Sequence, residues 1–169
     1  MGYNNFLYLL NDALDKNHLE LALASVKTFR AADIADVLIQ LPLDNSKTLL
    51  INLPNRVDVF SFLSPEYQAE LAKIIPRNIL AEIIGEMSSD KRVDVYKRLD
   101  TNQQNALLPA LAQAEREDIR QLASYVEGTA GAIMSSEYAT LKSNMTVSEA
   151  IPCCAVKHQI QKPSILHMY

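Results

Sequence analysis

The sequence predicts an all-α fold, a superhelical array of about ten short helices, followed by a change of pattern near residues 126–134. Three observations carry this. An apolar residue followed by a turn former recurs from Leu41 to Leu111: Leu41-Pro42, Leu53-Pro54, Leu63-Ser64-Pro65, Ile75-Pro76, Met87-Ser88, Leu99-Asp100 and Leu111, in steps of 12, 10, 12, 12, 12 and 12 residues. Units this short cannot bury an apolar face alone, so the spacing implies helices stacked on one another. The composition is helical, with 49% apolar residues, 4 glycines and no tryptophan. Helix start signals then sit where the beat needs them.

Taken in order, the first helix is predicted over 5–14, with Phe6, Leu9, Leu10 and Leu14 on one face. A break at Asp15-Lys16-Asn17 precedes a second over 18–28, with Leu19, Leu23 and Val26 apolar. The third carries Ala32-Asp33-Ile34-Ala35-Asp36-Val37-Leu38 and stops at Leu41-Pro42. Its acids, Asp33 and Asp36, read as a capped and solvated helix edge. Asn55 is a predicted N-cap with Asp58 three residues on. Ser64-Pro65-Glu66 supplies a cap, a proline at the first helical position and an acid in the first turn. Ser88 is the predicted cap of the helix holding Asp90, and Asp100-Thr101-Asn102-Gln103 is a capping-box variant. A longer offset of 46 residues lays Ala35-Asp36-Val37-Leu38 through Leu53 over Ala81-Glu82-Ile83-Ile84 through Leu99. The last helix of the array is predicted over 114–124. Met87 and Met134 read as core fillers, and Tyr125 as packing the last helix against the linker.

After Tyr125, Glu127-Gly128-Thr129-Ala130-Gly131 holds two of the 4 glycines and marks a hinge or tight connection. Tyr138-Ala139-Thr140-Leu141-Lys142 alternates like a short strand, and Thr146-Val147-Ser148-Glu149-Ala150-Ile151 is a capping box opening a new helix.

Composition also excludes. A net charge of -4 argues against nucleic-acid or anionic-membrane partners and leaves cations as ligands. Cys153-Cys154 are adjacent and cannot staple a fold, so a reducing cytosol is expected. The start lacks a signal-peptide pattern and no run of ~20 apolar residues is present, so the chain is expected to be soluble as it stands. The only histidines are His18, His158 and His167, and Cys153-Cys154 near His158 lacks zinc spacing. Glu127–Gly131 lacks the Gly-Lys-Ser/Thr ending of a phosphate loop. The chain is not expected to be an enzyme.

The segment Tyr125-Val126-Glu127-Gly128-Thr129-Ala130-Gly131-Ala132-Ile133-Met134, with Ser135-Ser136-Glu137-Tyr138 and Met145-Thr146-Val147-Ser148-Glu149-Ala150, resembles the MgtE family of magnesium transporters. There it joins a cytosolic helical N-domain to the first of two CBS domains. Ala32-Asp33-Ile34-Ala35-Asp36 and Phe62-Leu63-Ser64-Pro65-Glu66 are similar to that N-domain. The resemblance covers about residues 18–151 and implies an N-domain over 1–126, a linker over 127–137 and the start of an α/β CBS domain over 138–151. Two departures stand out: Gly128 replaces a usual acid, and 152–169 does not continue the family pattern and reads as non-native or frame-altered sequence. Pro152 would interrupt the helix just begun.

Asp90 and Asp94 lie four apart on one helix and share a face; Asp58 sits in the first turn of an earlier one. The resemblance implies that Asp58, Asp90 and Asp94 hold Mg²⁺ at the contact with the CBS domain. It further implies a regulatory role: sensing cytosolic Mg²⁺ and closing the pore of a membrane homodimer, with the CBS domains and pore domain of the same protein as partners. The piece alone can be monomeric. Mg²⁺ takes hard oxygen ligands and keeps several waters, so one or two carboxylates per surface suffice. A plainer reading stays open: helix-dipole complementarity alone places acids at Asp58 and Asp90, worth about 0.3–1 kcal/mol each, and Asp94 can be a solvated surface residue. The competing function is a protein-interaction scaffold without an ion role, since the helical array also looks like that of flagellar motor switch proteins.

Overall fold

The computed structural model describes residues 3–135 and 141–152. Among the described residues, ten helices fill the array: α1 (Tyr3–Asp15), α2 (Leu19–Val26), α3 (Ala31–Leu38), α4 (Leu43–Asn52), α5 (Arg56–Phe62), α6 (Pro65–Ile74), α7 (Arg77–Glu86), α8 (Ser89–Arg98), α9 (Thr101–Leu107) and α10 (Gln113–Ala123). A 3₁₀ turn (Leu108–Ala110) follows α9, and a four-residue helix, α11 (Ala130–Ile133), follows α10. From α2 to α8 each helix packs on the helix two places along. α2, α4, α6, α8 and α10 make one row, α3, α5, α7 and α9 the other, and α1 closes the open end against α2 and α4. This two-row superhelical stack is what short, self-insufficient helices require.

The periodic row runs down its centre. Leu41, Leu53, Leu63, Ile75, Met87, Leu99 and Leu111 are all buried. From Leu53 onward each leaves its helix in extended geometry, as Met87 does with φ -73 and ψ 154. Each still donates its N–H to the preceding last turn, from Leu53 to Leu50 at 3.1 Å through Leu111 to Leu108 at 3.3 Å. One apolar residue thus plugs the core while the turn former behind it starts the next helix, leaving almost no loop.

A second device keeps the interior satisfied. Ser46 Oγ donates to the Leu38 carbonyl at 2.6 Å, Gln68 Nε2 to Phe60 at 2.7 Å, Arg92 Nε to Ile84 at 3.0 Å and Gln104 Nε2 to Tyr96 at 3.0 Å. In all four the side chain reaches back eight residues to a carbonyl of the preceding last turn and gives it a second donor beside the N–H of the plug residue, as at Ile84, which also accepts Met87 N–H at 3.3 Å. Ser46, Gln68 and Arg92 are buried polar residues, and their burial is tolerated because each is bonded. Ser46 and Arg92 stand 46 residues apart, the offset of the larger repeat.

Several local expectations need correcting. α1 begins at Tyr3 and α2 ends at Val26, because Phe29 turns back through its N–H to the Val26 carbonyl and sets its ring 5.3 Å from Phe6. Asn17 takes φ 63, and the N–H groups of Asn17 and His18 close on Leu14 and Ala13, a Schellman end to α1. Leu9 is 44% exposed rather than on the buried face, which Leu10 and Leu14 supply. Asn55 and Ser88 occupy N-cap positions without a side-chain cap bond, whereas Ser64 accepts from Tyr67 N–H and Asp100 and Gln103 complete a reciprocal box. Met87 fills the core, but Met134, at 37% exposure, lies past α11 where no core remains to fill. Asp33 and Asp36 are exposed, the solvated edge expected of them. The strand expected from Tyr138 lies mostly outside the described residues, as does everything after Pro152. The helical turn 147–152 is present, with Glu149 accepting from the Thr146 N–H at 2.9 Å and from its hydroxyl at 2.8 Å.

Candidate functional site

α8 is where the acids, the buried charge and the exit of the chain meet. Its first turn holds Ser89, fully buried, and Asp90, half-buried; one turn on, Asp94 is exposed. The i, i+4 spacing sets both carboxylates on one flank of the helix. Among the described residues neither carboxylate is engaged by a side-chain hydrogen bond or ion pair. Arg98 Nη1 bonds the Asp94 carbonyl at 2.9 Å, closing the helix C-terminus with a cation where the dipole favours one.

The opposite face of α8 is turned inward by Arg92. Its Nε meets the Ile84 carbonyl at 3.0 Å, and Nη2 meets Gly85 at 3.0 Å and Met87 at 2.8 Å. Nη1 lies 3.3 Å from Asp118 Oδ2 on α10. A guanidinium supplies five donors in a fixed fork, which is why arginine rather than lysine can serve three carbonyls and a carboxylate together. This residue carries no motif. Its signal in the sequence is register, since Arg92 falls five residues past Met87, as Ser46 does past Leu41.

Asp58 occupies the same register, five residues past Leu53, on α5 and half-buried. One helical turn further, Phe62 is 61% exposed, and Lys91 Nζ of α8 stands 6.0 Å from its ring centroid. That contact brings the end of α5 toward the start of α8, although α7 packs on both helices. Among the described residues no group of three or more His, Cys, Asp or Glu side chains is placed to hold a metal. The array therefore presents Asp90 and Asp94 as a pair on α8 and Asp58 on α5. An apolar cleft of about 280 Å³ at the far end, lined by Leu23, Phe29, Ile34, Leu53 and Pro54 among others, offers no acids.

The exit runs from Ser124 to Ser135. Gly128 takes φ +83, a left-handed turn that a side chain resists. At Gly131 an added Cβ would stand 2.5 Å from the Tyr125 ring, so ring and backbone are in direct contact and any larger residue must push the ring aside. Tyr125 thus packs the end of α10 against the connection, as its position predicts. Ser135 Oγ then lies 3.0 Å from Ser89 Oγ, returning the chain to α8.

Residues 29–128 match the family described as the MgtE intracellular N domain. No curated protein matches the chain. The fold is similar to the soluble part of a magnesium transporter, with TM-score 0.77 and 21% identity over 95% of this chain and 64% of that one. It is also similar to the cytosolic domain of the Mg²⁺ channel MgtE in complex with ATP, with TM-score 0.82 and 26% identity over 93% of this chain and 65% of that one. The chain thus spans just under two thirds of each of these structures. No helix among the described residues is long and apolar enough to cross a membrane. With 100 consecutive residues matched and the two-row stack shared, the chain belongs to the MgtE intracellular N domain family.

Proposed function

We propose that the chain is the cytosolic regulatory arm of a magnesium transporter, and that Asp58, Asp90 and Asp94 present Mg²⁺-binding carboxylates to a CBS domain that begins after the exit. The match of residues 29–128 to the MgtE intracellular N domain carries this reading. It favours the transporter over a flagellar-switch-like scaffold. In this reading 127–137 is the linker, 138–151 opens the CBS domain, and the full protein is a membrane homodimer whose pore this arm helps to close.

The residues fit such a role. Asp94 is exposed and Asp90 half-buried on one flank, each offering hard oxygen donors. Two carboxylates make half a site, as expected if the other half lies on a facing domain. Bound Mg²⁺ would supply positive charge between the facing acids. Without it, Asp90 and Asp94 repel each other and any acid brought opposite, which favours the arm swinging away. A ligand shifts such an equilibrium only through its different affinity for the two arrangements.

The test is a Mg²⁺ titration of a protein carrying this arm and the complete CBS pair, read by limited proteolysis. The wild type should become protected as Mg²⁺ rises. Asp90→Asn/Asp94→Asn should need about tenfold more Mg²⁺, since it removes two of the few charged ligands. Equal protection of both proteins at every concentration would remove these residues from the role.

A further inference from the structure

We infer that residues 124–135 form a latch that seats the departing chain on the first turn of α8. Three contacts build it. Gly128 at φ +83 turns the chain after α10, and the Thr129 N–H closes the turn on the Val126 carbonyl at 3.1 Å. The Tyr125 ring rests on the backbone of Gly131 so closely that no Cβ can stand between them. Ser135 then meets the fully buried Ser89 at 3.0 Å, closing a loop of 46 residues.

The foundation of the latch is the same helix. Arg92, three residues past Ser89, holds Asp118 of α10 at 3.3 Å, so α10 and the segment leaving it are both fixed to α8. Asp90 is the next residue after Ser89. The direction in which the chain departs is therefore set by the helix that carries two of the proposed Mg²⁺ ligands. Given the reading under Proposed function, closing the latch couples those acids to the orientation of the following domain. The Tyr125 ring is 37% exposed, so it can swing into solvent when the latch opens without disturbing the core behind it.

Gly131→Ala tests the latch, because the new methyl displaces the ring and leaves the stack untouched; Ser135→Ala removes the other contact. Hydrogen exchange on the full chain should show amides of 126–135 speeding up about tenfold in Gly131→Ala, with those of α3 to α7 unchanged, and a smaller increase in Ser135→Ala. Unchanged exchange at 126–135 in both variants would overturn the latch. In the protein carrying the CBS pair, Gly131→Ala should shift the Mg²⁺ midpoint for protection several-fold. An opened latch with an unmoved midpoint would overturn the coupling. A wild type that does not respond to Mg²⁺ at all would instead overturn the reading under Proposed function, and the exchange result would still decide the latch.

Discussion

Arg92 and Asp118 form an ion pair at 3.3 Å that joins α8 to α10, with the guanidinium buried and the carboxylate part-exposed. The pair is not isolated: the same guanidinium satisfies the Ile84, Gly85 and Met87 carbonyls at the end of α7. Removing it takes the guanidinium donor from the Gly85 and Met87 carbonyls, one of two donors from Ile84, and an ion-pair partner from Asp118. Arg92→Leu should therefore lower unfolding free energy by about 3 kcal/mol or more in urea, within the range for breaking a buried pair. Arg92→Lys should recover only a minor part, because one ammonium cannot span the fork.

Ser46, Tyr67 and the Leu38 carbonyl form a closed triangle. Ser46 Oγ lies 2.6 Å from Leu38 O, and Tyr67 Oη lies 2.9 Å from both. The Leu38 carbonyl also accepts the Leu41 N–H at 3.1 Å, so it keeps a partner without either hydroxyl. Ser46→Ala and Tyr67→Phe should each cost about 1 kcal/mol, and the double variant should cost less than their sum, because the bond between the two hydroxyls is lost in either single variant. A double-mutant cycle by chemical denaturation reads this directly; simple additivity would mean that the two hydroxyls do not bond each other in solution.

The row from Leu41 to Leu111 is legible in the sequence because two constraints coincide there: a residue that must be buried and a backbone that must stop and restart. Arg92 is not legible in that way. Arginine is ordinarily a surface residue, and only its three-dimensional closeness to the end of α7 and to Asp118, 26 residues on, makes its burial tolerable. The acids sit between these cases. Asp58, Asp90 and Asp94 are visible as helix-start or surface acids, but sequence spacing says nothing of which face meets a neighbour. Phe62 of α5 and Lys91 of α8 meet at 6.0 Å, and an exposed Phe beside a Lys has no sequence signature. Ser88 shows a limit of cap reading: position alone does not ensure that a hydroxyl turns toward the helix.

That limit is measurable. At α9, Asp100 Oδ1 accepts the Gln103 N–H at 2.8 Å and Gln103 returns a bond to the Asp100 N–H at 3.0 Å. At α8, Ser88 makes no such bond. Asp100→Ala should cost about 1 kcal/mol, and Ser88→Ala should stay within about 0.5 kcal/mol of wild type. Equal losses at the two positions would show that Ser88 caps α8 in solution.

Glu149 gives the exit end of the chain a pH dependence. Hydrogen bonds from the Thr146 backbone N–H, then from its hydroxyl, hold this carboxyl below its ordinary value near 4.5. A lowered value in the folded state means that the charged form supports the turn at 147–152. That support is complete above the unfolded value and is lost as pH falls through the folded one. The Thr146 amide should therefore exchange faster as pH drops below about 4.5, after correction for intrinsic rates, and Glu149→Gln should flatten the change.

Asp90 and Asp94 should move stability in opposite directions without Mg²⁺. Asp90 lies in the first turn of α8, where the helix dipole favours a negative charge, so Asp90→Asn should lose about 0.3–1 kcal/mol. Asp94 lies one turn further, beyond the reach of that favourable end, and repels Asp90 across the i, i+4 spacing. Asp94→Asn should therefore gain a few tenths of a kcal/mol, about 0.2–0.5. Added salt should shrink both effects, since the charges lie at the surface. Thermal denaturation at low ionic strength in the presence of a chelator separates the two signs. If both substitutions destabilise, Asp94 is engaged by a favourable partner in the folded protein and is not held ready for a cation.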